Sequence, residues 1–304
     1  MIDREDRAPP SSAIRRCVAE LVACGSIEMG WHQVEQTPRV AELLPAGTCV
    51  YVNHPPRRTL DDALTAAIAV RRAGLEPVLH IAARHIKSRQ ELTELLDRAS
   101  RLAKVTKLLL IGGDAKEAAG PYRDAVALLR DGCLMQHGIR EVGIASYPEG
   151  HPSIPAAVLK QALEDKLTLA AMNKLGIYIV TQFSFAPARI VEHCLELSTL
   201  APGIPVYVGL AGPTSLGVLL KYARRCGVSA SFRGFMAQGM TAVRVLTHTD
   251  PGEQLTVIAR YYLTQSKCNI VGAHFFSFGG AVRTAEWMNR QMTNSLEAGV
   301  RLPS

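Results

Sequence analysis

A short polar segment, Tyr147–Pro152, carries a tyrosine, a glutamate and a histidine within five positions. It follows the apolar run Val142–Ser146, which is typical of a buried strand, and it precedes a helical pattern that begins at Ala156. Polar groups at the junction of a buried strand and a helix are common in the ligand sites of α/β proteins. The alternative is a structural turn stiffened by two prolines.

The same pattern recurs at the end of almost every predicted strand. The polar or glycine-rich strand ends are Glu28, Asn53, His80, Gly112-Gly113-Asp114, Tyr147 with His151, Gln182, Gly212-Pro213-Thr214-Ser215, and His274 with Ser277. Each of them alone has a structural explanation, such as a turn cap or a hydrogen-bonded core histidine. Because the carboxyl ends of parallel strands meet on one rim of a barrel, their repetition favours a ligand-binding mouth.

Glu28 lies between Ile27 and Met29 on a strand that we expect to be buried. Burial disfavours the charged form of a carboxyl group and raises its pKa. A carboxyl that stays protonated near neutral pH is suited to general acid catalysis. The alternative is a glutamate neutralised by an internal lysine or arginine.

Asp114 follows two glycines, which allow the backbone to approach a planar or phosphorylated ligand. Its carboxylate would then set the local electrostatics. The histidines at the strand ends lack His-x-His or His-x-x-x-His spacing, so hydrogen bonding to a cofactor is a better interpretation than metal binding.

These residues need a scaffold that brings the strand ends together. Eight apolar runs are predicted to be strands: 26–29, 48–53, 77–82, 107–112, 142–146, 177–183, 205–210 and 269–276. Helical patterns cover residues 11–24, 33–44, 59–73, 88–104, 122–136, 156–175, 188–200, 215–225, 251–266 and 280–296. Alternating strands and helices predict an α/β protein, a (β/α)8 TIM barrel with an extra N-terminal helix. An open doubly wound sheet is the alternative, but no glycine-rich first turn supports it.

We treat residues 1–304 as one barrel domain, with a flexible tip at residues 1–12. Gly74 and Gly176 lie where helix ends favour a left-handed residue. The least regular stretch, 227–250, is either a lid or a plain insertion.

Composition excludes several classes of function. The formal charge of +7 lies on arginine pairs of amphipathic helices, and no basic run with interleaved aromatics indicates nucleic-acid binding. No apolar run approaches the roughly 18–20 residues that span a bilayer. The seven cysteines are far apart, which argues against a disulfide framework or a metal site. We expect a cytoplasmic protein and, from the apolar faces of the outer helices, a homo-oligomer.

The chain resembles methylenetetrahydrofolate reductase, a flavin-dependent (β/α)8 barrel, over about residues 26–280. The segments that carry the resemblance are Ser26–Met29, Leu79–Ile81, Gly112–Asp114, Tyr147–Pro152 and Thr181–Phe183. The Tyr-Pro-Glu-x-His-Pro stretch is quite specific, whereas the Gly-Gly-Asp and Thr-Gln-Phe pieces are weak alone.

The resemblance implies that FAD lies across the strand ends. The residues it assigns to the cofactor are His80, Gly112, Gly113, Asp114, Tyr122, Ala145, Tyr147, His151 and Lys166. It makes Glu28 the general acid that protonates folate N10, and Asp114 the group that tunes the flavin and helps to hold the pterin. Asn53, Gln182 and Leu216 would contact the tetrahydrofolate derivative or the nicotinamide.

The chain departs from the family pattern in three places. Gly112 stands where many members have an arginine, so one flavin contact is lost. The segment Asn53-His54-Pro55-Pro56 replaces a threonine followed by a glycine. Leu216 stands near the position of a phenylalanine that stacks on NADH, which puts NAD(P)H in doubt as electron donor.

Three hypotheses follow. The first is an FAD enzyme that interconverts 5,10-methylenetetrahydrofolate and 5-methyltetrahydrofolate, using NAD(P)H or another electron carrier. The second is a non-redox folate-binding barrel that serves as a one-carbon carrier or partner subunit. The third, a barrel lyase or aldolase, lacks the strand-end lysine or metal that it needs.

Overall fold

In the computed structural model, residues 9–53, 60–228, 250–265 and 268–296 are described. Within these residues, eight strands form a closed barrel in the order β1-β2-β3-β4-β5-β6-β7-β8. The strands are β1 (Ser26–Gly30), β2 (Cys49–Asn53), β3 (Glu76–Ala82), β4 (Lys107–Ile111), β5 (Glu141–Ser146), β6 (Gly176–Thr181), β7 (Val206–Ala211) and β8 (Ile270–Phe276). The predicted α/β barrel is confirmed.

The helices alternate with the strands as predicted, and the extra N-terminal helix is present. Within the described residues they are α1 (Ser11–Ala23), α2 (Thr37–Leu43), α3 (Leu60–Arg72), α4 (Arg89–Ala103), α5 (Ala125–Asp131), α6 (Ala156–Met172), α7 (Pro187–Leu200), α8 (Leu216–Cys226), α9 (Gly252–Thr264) and α10 (Ala281–Leu296).

Burial on both faces explains why the strands are uninterrupted apolar runs. In β3 every residue after Glu76 is buried. β3 pairs with β4 in parallel, with Leu79 opposite Leu108. β4 pairs with β5 in the same way, with Leu108 opposite Val142. This register places the last residues of successive strands on one side of the sheet.

Several predicted boundaries are wrong for identifiable reasons. The helix predicted at 122–136 ends at Asp131, because Gly132 adopts a left-handed conformation (φ +74°), and a 3-10 turn, Leu134–His137, follows it. The helix predicted at 33–44 begins as a 3-10 turn, Trp31–Gln36. Gly176 is a strand residue, and Lys174 (φ 54°) takes the left-handed position after α6. Gly74 (φ +82°) has the predicted conformation.

The contacts of the described residues cluster into two compact units. We call Ile27–Ser146 with Gly150–Val180 the central unit, and Met1–Ser26 with Tyr147–Glu149 and Thr181–Ser304 the terminal unit. Most of the predicted flexible tip and lid, and the departure at His54-Pro55-Pro56, lie outside the described residues. No helix in the described part of the chain is long and apolar enough to span a membrane.

Candidate functional site

The central unit pairs the predicted acid, Glu28, with the amide of Asn53. Asn53 Nδ2 at the end of β2 donates to Glu28 Oε1 on β1 over 2.6 Å. Ile27 and Met29 on either side of the half-buried glutamate are fully buried. Burial raises the pKa of Glu28, and the hydrogen bond from Asn53 acts in the opposite direction. Among the described residues the carboxyl forms no ion pair with lysine or arginine, and its role as an acid stays a prediction.

His80 on β3 is the second notable group of this unit. The residue is 9% exposed, and within the described ranges Nε2 has no hydrogen-bond partner. Burial lowers the pKa of His80 to about 4, so the imidazole is neutral at pH 7. A buried polar atom without a partner is costly and calls for an explanation. A hydrogen-bonding group on a bound ligand is one such explanation.

Tyr51 and Tyr178, which the sequence did not single out, form a pair, and Tyr51 lies beside His80. Tyr51 packs edge-on against the His80 ring with centroids 5.8 Å apart, and its hydroxyl lies 3.1 Å from that of Tyr178. Both tyrosines are buried. A Cβ on Gly143 would lie 2.6 Å from the ring of Tyr178, so the glycine makes room for this ring. The tyrosine pair therefore forms a polar support inside the apolar interior.

The turn after β4 has the open backbone that its two glycines predict. Gly113 is left-handed (φ +87°), and a Cβ there would lie 3.3 Å from Ala82 and 3.5 Å from the ring of His85. A Cβ on Gly112 would meet nothing within 4 Å. Asp114 Oδ1 lies 3.2 Å from His85 Nε2, and the carboxylate is about half exposed. His85 is a neighbour that the sequence reasoning missed.

Tyr122 has an internal partner. Its ring is 3% exposed, and its hydroxyl donates to Asp131 Oδ2 over 2.9 Å. Burial, with the hydrogen bond to Asp131, raises the pKa of the Tyr122 phenol far above its ordinary value. Arg89 Nε also contacts Asp131, at 3.1 Å. The structure thus gives Tyr122 a structural role, and its contact with a cofactor stays a prediction.

The remaining cofactor candidates of the central unit are half-buried. His151 Nδ1 accepts from the backbone of Ser153 over 3.2 Å, and burial, then Arg84, lowers its pKa. Lys166 lies on α6, and burial lowers its pKa to about 8, so most of this amine is charged at pH 7. Ala145 lies one residue before the end of β5.

Three predicted residues belong to the terminal unit. Gln182 follows β6, and its Oε1 accepts from the backbone of Phe183 over 3.1 Å. Leu216, the first residue of α8, packs against a cluster that contains Phe183 and Leu219. Tyr147 is half-buried, and burial raises its pKa. The carboxamide nitrogen of Gln182 remains the polar end that could face a ligand.

His274 of β8 belongs to the protein interior. It is fully buried, and its Nδ1 lies 2.9 Å from the hydroxyl of Ser26. Phe276 packs edge-on against its ring, with centroids 4.8 Å apart. For this strand end the structural explanation, a hydrogen-bonded core histidine, is favoured.

The residues that the resemblance assigns to FAD are compatible with the ring of a flavin. Open space beside Gly112 and the unpartnered Nε2 of the neutral His80 suit a flat ligand with polar edges. The charged amine of Lys166 suits a phosphate. Gly112 lacks a side chain and the Tyr122 hydroxyl is already bonded, so fewer side chains are offered than the resemblance implies.

No family model matches the chain. Among solved structures, it is similar to a proposed phosphonomutase from Burkholderia cenocepacia, with a TM-score of 0.50, 13% identity, and coverage of 94% of this chain and 96% of that one. It is also similar to a D-psicose 3-epimerase (TM-score 0.42, 10% identity, 90% and 97% covered). A 3-dehydroquinate dehydratase from Aquifex aeolicus gives a TM-score of 0.44 at 10% identity, with 91% and 99% covered. At 13% identity the similarity to the first of these structures shows the fold alone.

Proposed function

We propose that the chain is an FAD-dependent oxidoreductase that interconverts 5,10-methylenetetrahydrofolate and 5-methyltetrahydrofolate. In the reducing direction the reaction adds a hydride to the methylene carbon and a proton to folate N10. The observation that carries the proposal is the Glu28 carboxyl, which burial biases towards its protonated form and which Asn53 holds by a 2.6 Å hydrogen bond.

Glu28 acts as the proton donor for N10, which opens the five-membered ring of the substrate. Once the proton has left, Asn53 Nδ2 donates to the resulting carboxylate and stabilises its charge. In the oxidising direction the same carboxylate accepts the proton from N10. Asp114 supplies an acceptor to the polar edge of the pterin. The resemblance implies that Gln182 contacts the folate or the nicotinamide.

When bound, FAD supplies the hydride transfer. His80 would offer a neutral imidazole to the cofactor, Gly112 and Gly113 would let it approach the backbone, and Lys166 would balance the charge of its phosphates. The electron partner is NAD(P)H or another carrier. Leu216 would present an aliphatic surface to a nicotinamide, which stacks less well than an aromatic ring.

The experiment is an anaerobic incubation of the purified protein with 5-methyltetrahydrofolate, with and without added FAD. Product formation, measured by mass spectrometry, tests the reaction, and flavin absorbance tests the cofactor separately. We expect a yellow protein that bleaches as 5,10-methylenetetrahydrofolate forms. If neither direction yields product with FAD and NAD(P)H present, the proposed reaction is wrong. Product without bound or added flavin would overturn the cofactor alone.

A second candidate is a non-redox folate-binding barrel. The absence of a side chain at Gly112 and the internal bond of the Tyr122 hydroxyl favour it, because both remove contacts that a flavin would use. It predicts that tetrahydrofolate binds without flavin and that Glu28→Gln leaves this binding unchanged. Calorimetric titration with tetrahydrofolate in the absence of FAD separates it from the first candidate.

A further inference from the structure

The turn after β3, Ala83–His85, holds the loop that carries Asp114. The Arg84 side chain donates from Nε to the carbonyl of Arg123 over 2.9 Å and from a terminal nitrogen to the carbonyl of Ala115 over 3.1 Å. Its backbone nitrogen donates to Gly112, and its carbonyl accepts from Ala119. One arginine thus contacts the loop at four places.

The loop also lies directly against the residues after this turn. A Cβ on Gly120 would clash with the backbone carbonyl of Lys87 and lie 2.6 Å from that of Ile86. Since only a glycine allows this approach, the far end of the loop packs directly against the backbone of Ile86 and Lys87.

His85 acts on Asp114 itself. Its side chain is 10% exposed, its Nε2 lies 3.2 Å from Asp114 Oδ1, and its ring lies under Gly113. The carboxylate is 49% exposed, so one oxygen faces the imidazole while the carboxylate stays accessible. A nearly buried donor is a well-fixed anchor for an exposed acceptor, because its own rotamer is held by packing.

We infer that His85 is a positioning residue that aims the Asp114 carboxylate at the substrate ring, and that Arg84 holds the loop on which this carboxylate is presented. The inference rests on the proposed function for its substrate, a tetrahydrofolate. Losing the histidine would let the carboxylate rotate, and substrate binding would weaken while the acid at Glu28 remained in place.

The test compares two replacements of His85. His85→Phe keeps a flat ring against Gly113 but removes the N–H donor, whereas His85→Gln restores a donor. His137→Phe is the matched control, because His137 Nδ1 pairs with Asp97 Oδ1 over 2.6 Å elsewhere in the same unit. The measurements are KM for 5-methyltetrahydrofolate, kcat, Tm, and amide hydrogen exchange over residues 112–123.

In His85→Phe we expect KM to rise about 10- to 100-fold, the size of effect that follows when a charged group loses a polar partner, with kcat changed far less. His85→Gln should recover most of the affinity, and His137→Phe should match the wild type. Amides 113–115 should exchange faster in His85→Phe, and the whole loop should exchange faster in Arg84→Met.

An active wild type with an unchanged KM in His85→Phe would overturn the inference. If the wild type itself turns over no folate, the proposed function fails, and hydrogen exchange then decides the positioning claim. Unchanged exchange in both His85→Phe and Arg84→Met would contradict it.

Discussion

Replacing Glu28 with glutamine should slow turnover strongly and leave the fold intact. The new amide would keep the shape of the side chain and a hydrogen bond with Asn53, but it has no proton to give. Removal of a positioned general acid costs about 10²- to 10⁴-fold in rate. We therefore expect kcat of Glu28→Gln to fall by about that factor, with KM little changed because the proton moves only in the reaction.

Burial of Glu28 determines whether Glu28→Gln is more or less stable than the wild type at a given pH. Burial raises the pKa of Glu28 in the folded state. A raised carboxyl pKa gives a contribution to stability that is complete below the unfolded value, near 4.5, and is lost as the pH rises towards the folded value. Glutamine does not ionise, so Glu28→Gln does not lose this stability as the pH rises. Its Tm should equal or exceed that of the wild type at pH 8, and the difference should shrink towards pH 4.

Asn53→Ala should shift the pH profile without abolishing activity. The hydrogen bond from Asn53 stabilises the charged carboxylate and so lowers the pKa of Glu28. Its loss, about 1.5 kcal/mol for a bond to a charged group, should raise this pKa and move the acidic limb of kcat for 5-methyltetrahydrofolate, the direction in which Glu28 is the base, up by about one pH unit.

The assay is anaerobic turnover of 5-methyltetrahydrofolate across pH, combined with thermal unfolding. Glu141→Gln is the matched control, because Glu141 opens β5 at the opposite end of the strands and pairs with Lys107 over 3.0 Å. A Glu28→Gln enzyme within a few-fold of the wild type would refute the role of this residue. A loss of Tm by several degrees at pH 8 would show that the carboxyl is structural.

Three further predictions address the support and the cofactor. Gly143→Ala should displace the ring of Tyr178 and lower the free energy of unfolding by about 1–3 kcal/mol, measured by urea denaturation, whereas Gly217→Ala, with open space around it, should stabilise by about 0.5–1 kcal/mol. Gly112→Arg should tighten FAD binding in a fluorescence titration, since nothing lies within 4 Å of its Cβ and a guanidinium would restore the lost contact; unchanged affinity would remove this explanation of the departure. His80 stays neutral in the fold with a pKa of about 4, so it contributes stability above pH 6.5 that is lost as the pH falls towards 4. The loss is at most about 3 kcal/mol. In His80→Gln the free energy of unfolding, measured by urea denaturation at several pH values between 4 and 6.5, should therefore depend less on pH than in the wild type.

The barrel could be predicted because its strands are buried on both faces. A run such as Leu108–Leu110, fully or nearly fully buried, has no polar face to interrupt it. The ends of the helices were harder to predict from the local sequence. Gly132 stops α5 early, although the apolar pattern continues beyond it, and Lys174 takes the left-handed position that glycine patterns assign to Gly176. Boundaries of this kind depend on tertiary packing as well as on propensity.

In the candidate site, too, some residues could be predicted from the sequence and others could not. Strand-end positions led to Glu28 and Asn53, because their placement follows from strand order. The pair Tyr51 and Tyr178 was missed, since its members are 127 residues apart and look like ordinary strand tyrosines. His85 was missed because it lies three residues after the end of β3, in a short turn. The contacts between this turn and the loop that carries Asp114, such as the one from Arg84 to Arg123, are visible only in the structure.

The most direct test of the proposed function is whether a hydride leaves the methyl group of 5-methyltetrahydrofolate. Wild-type protein is mixed anaerobically, in a single turnover with FAD, with 5-methyltetrahydrofolate whose methyl group carries three deuterons. We predict that 5,10-methylenetetrahydrofolate with two deuterons forms, and that Glu28→Gln protein forms it at least about a hundredfold more slowly. Folate recovered with all three deuterons, from an intact and folded wild type with flavin bound, would contradict the proposal that this barrel moves a hydride at the one-carbon group.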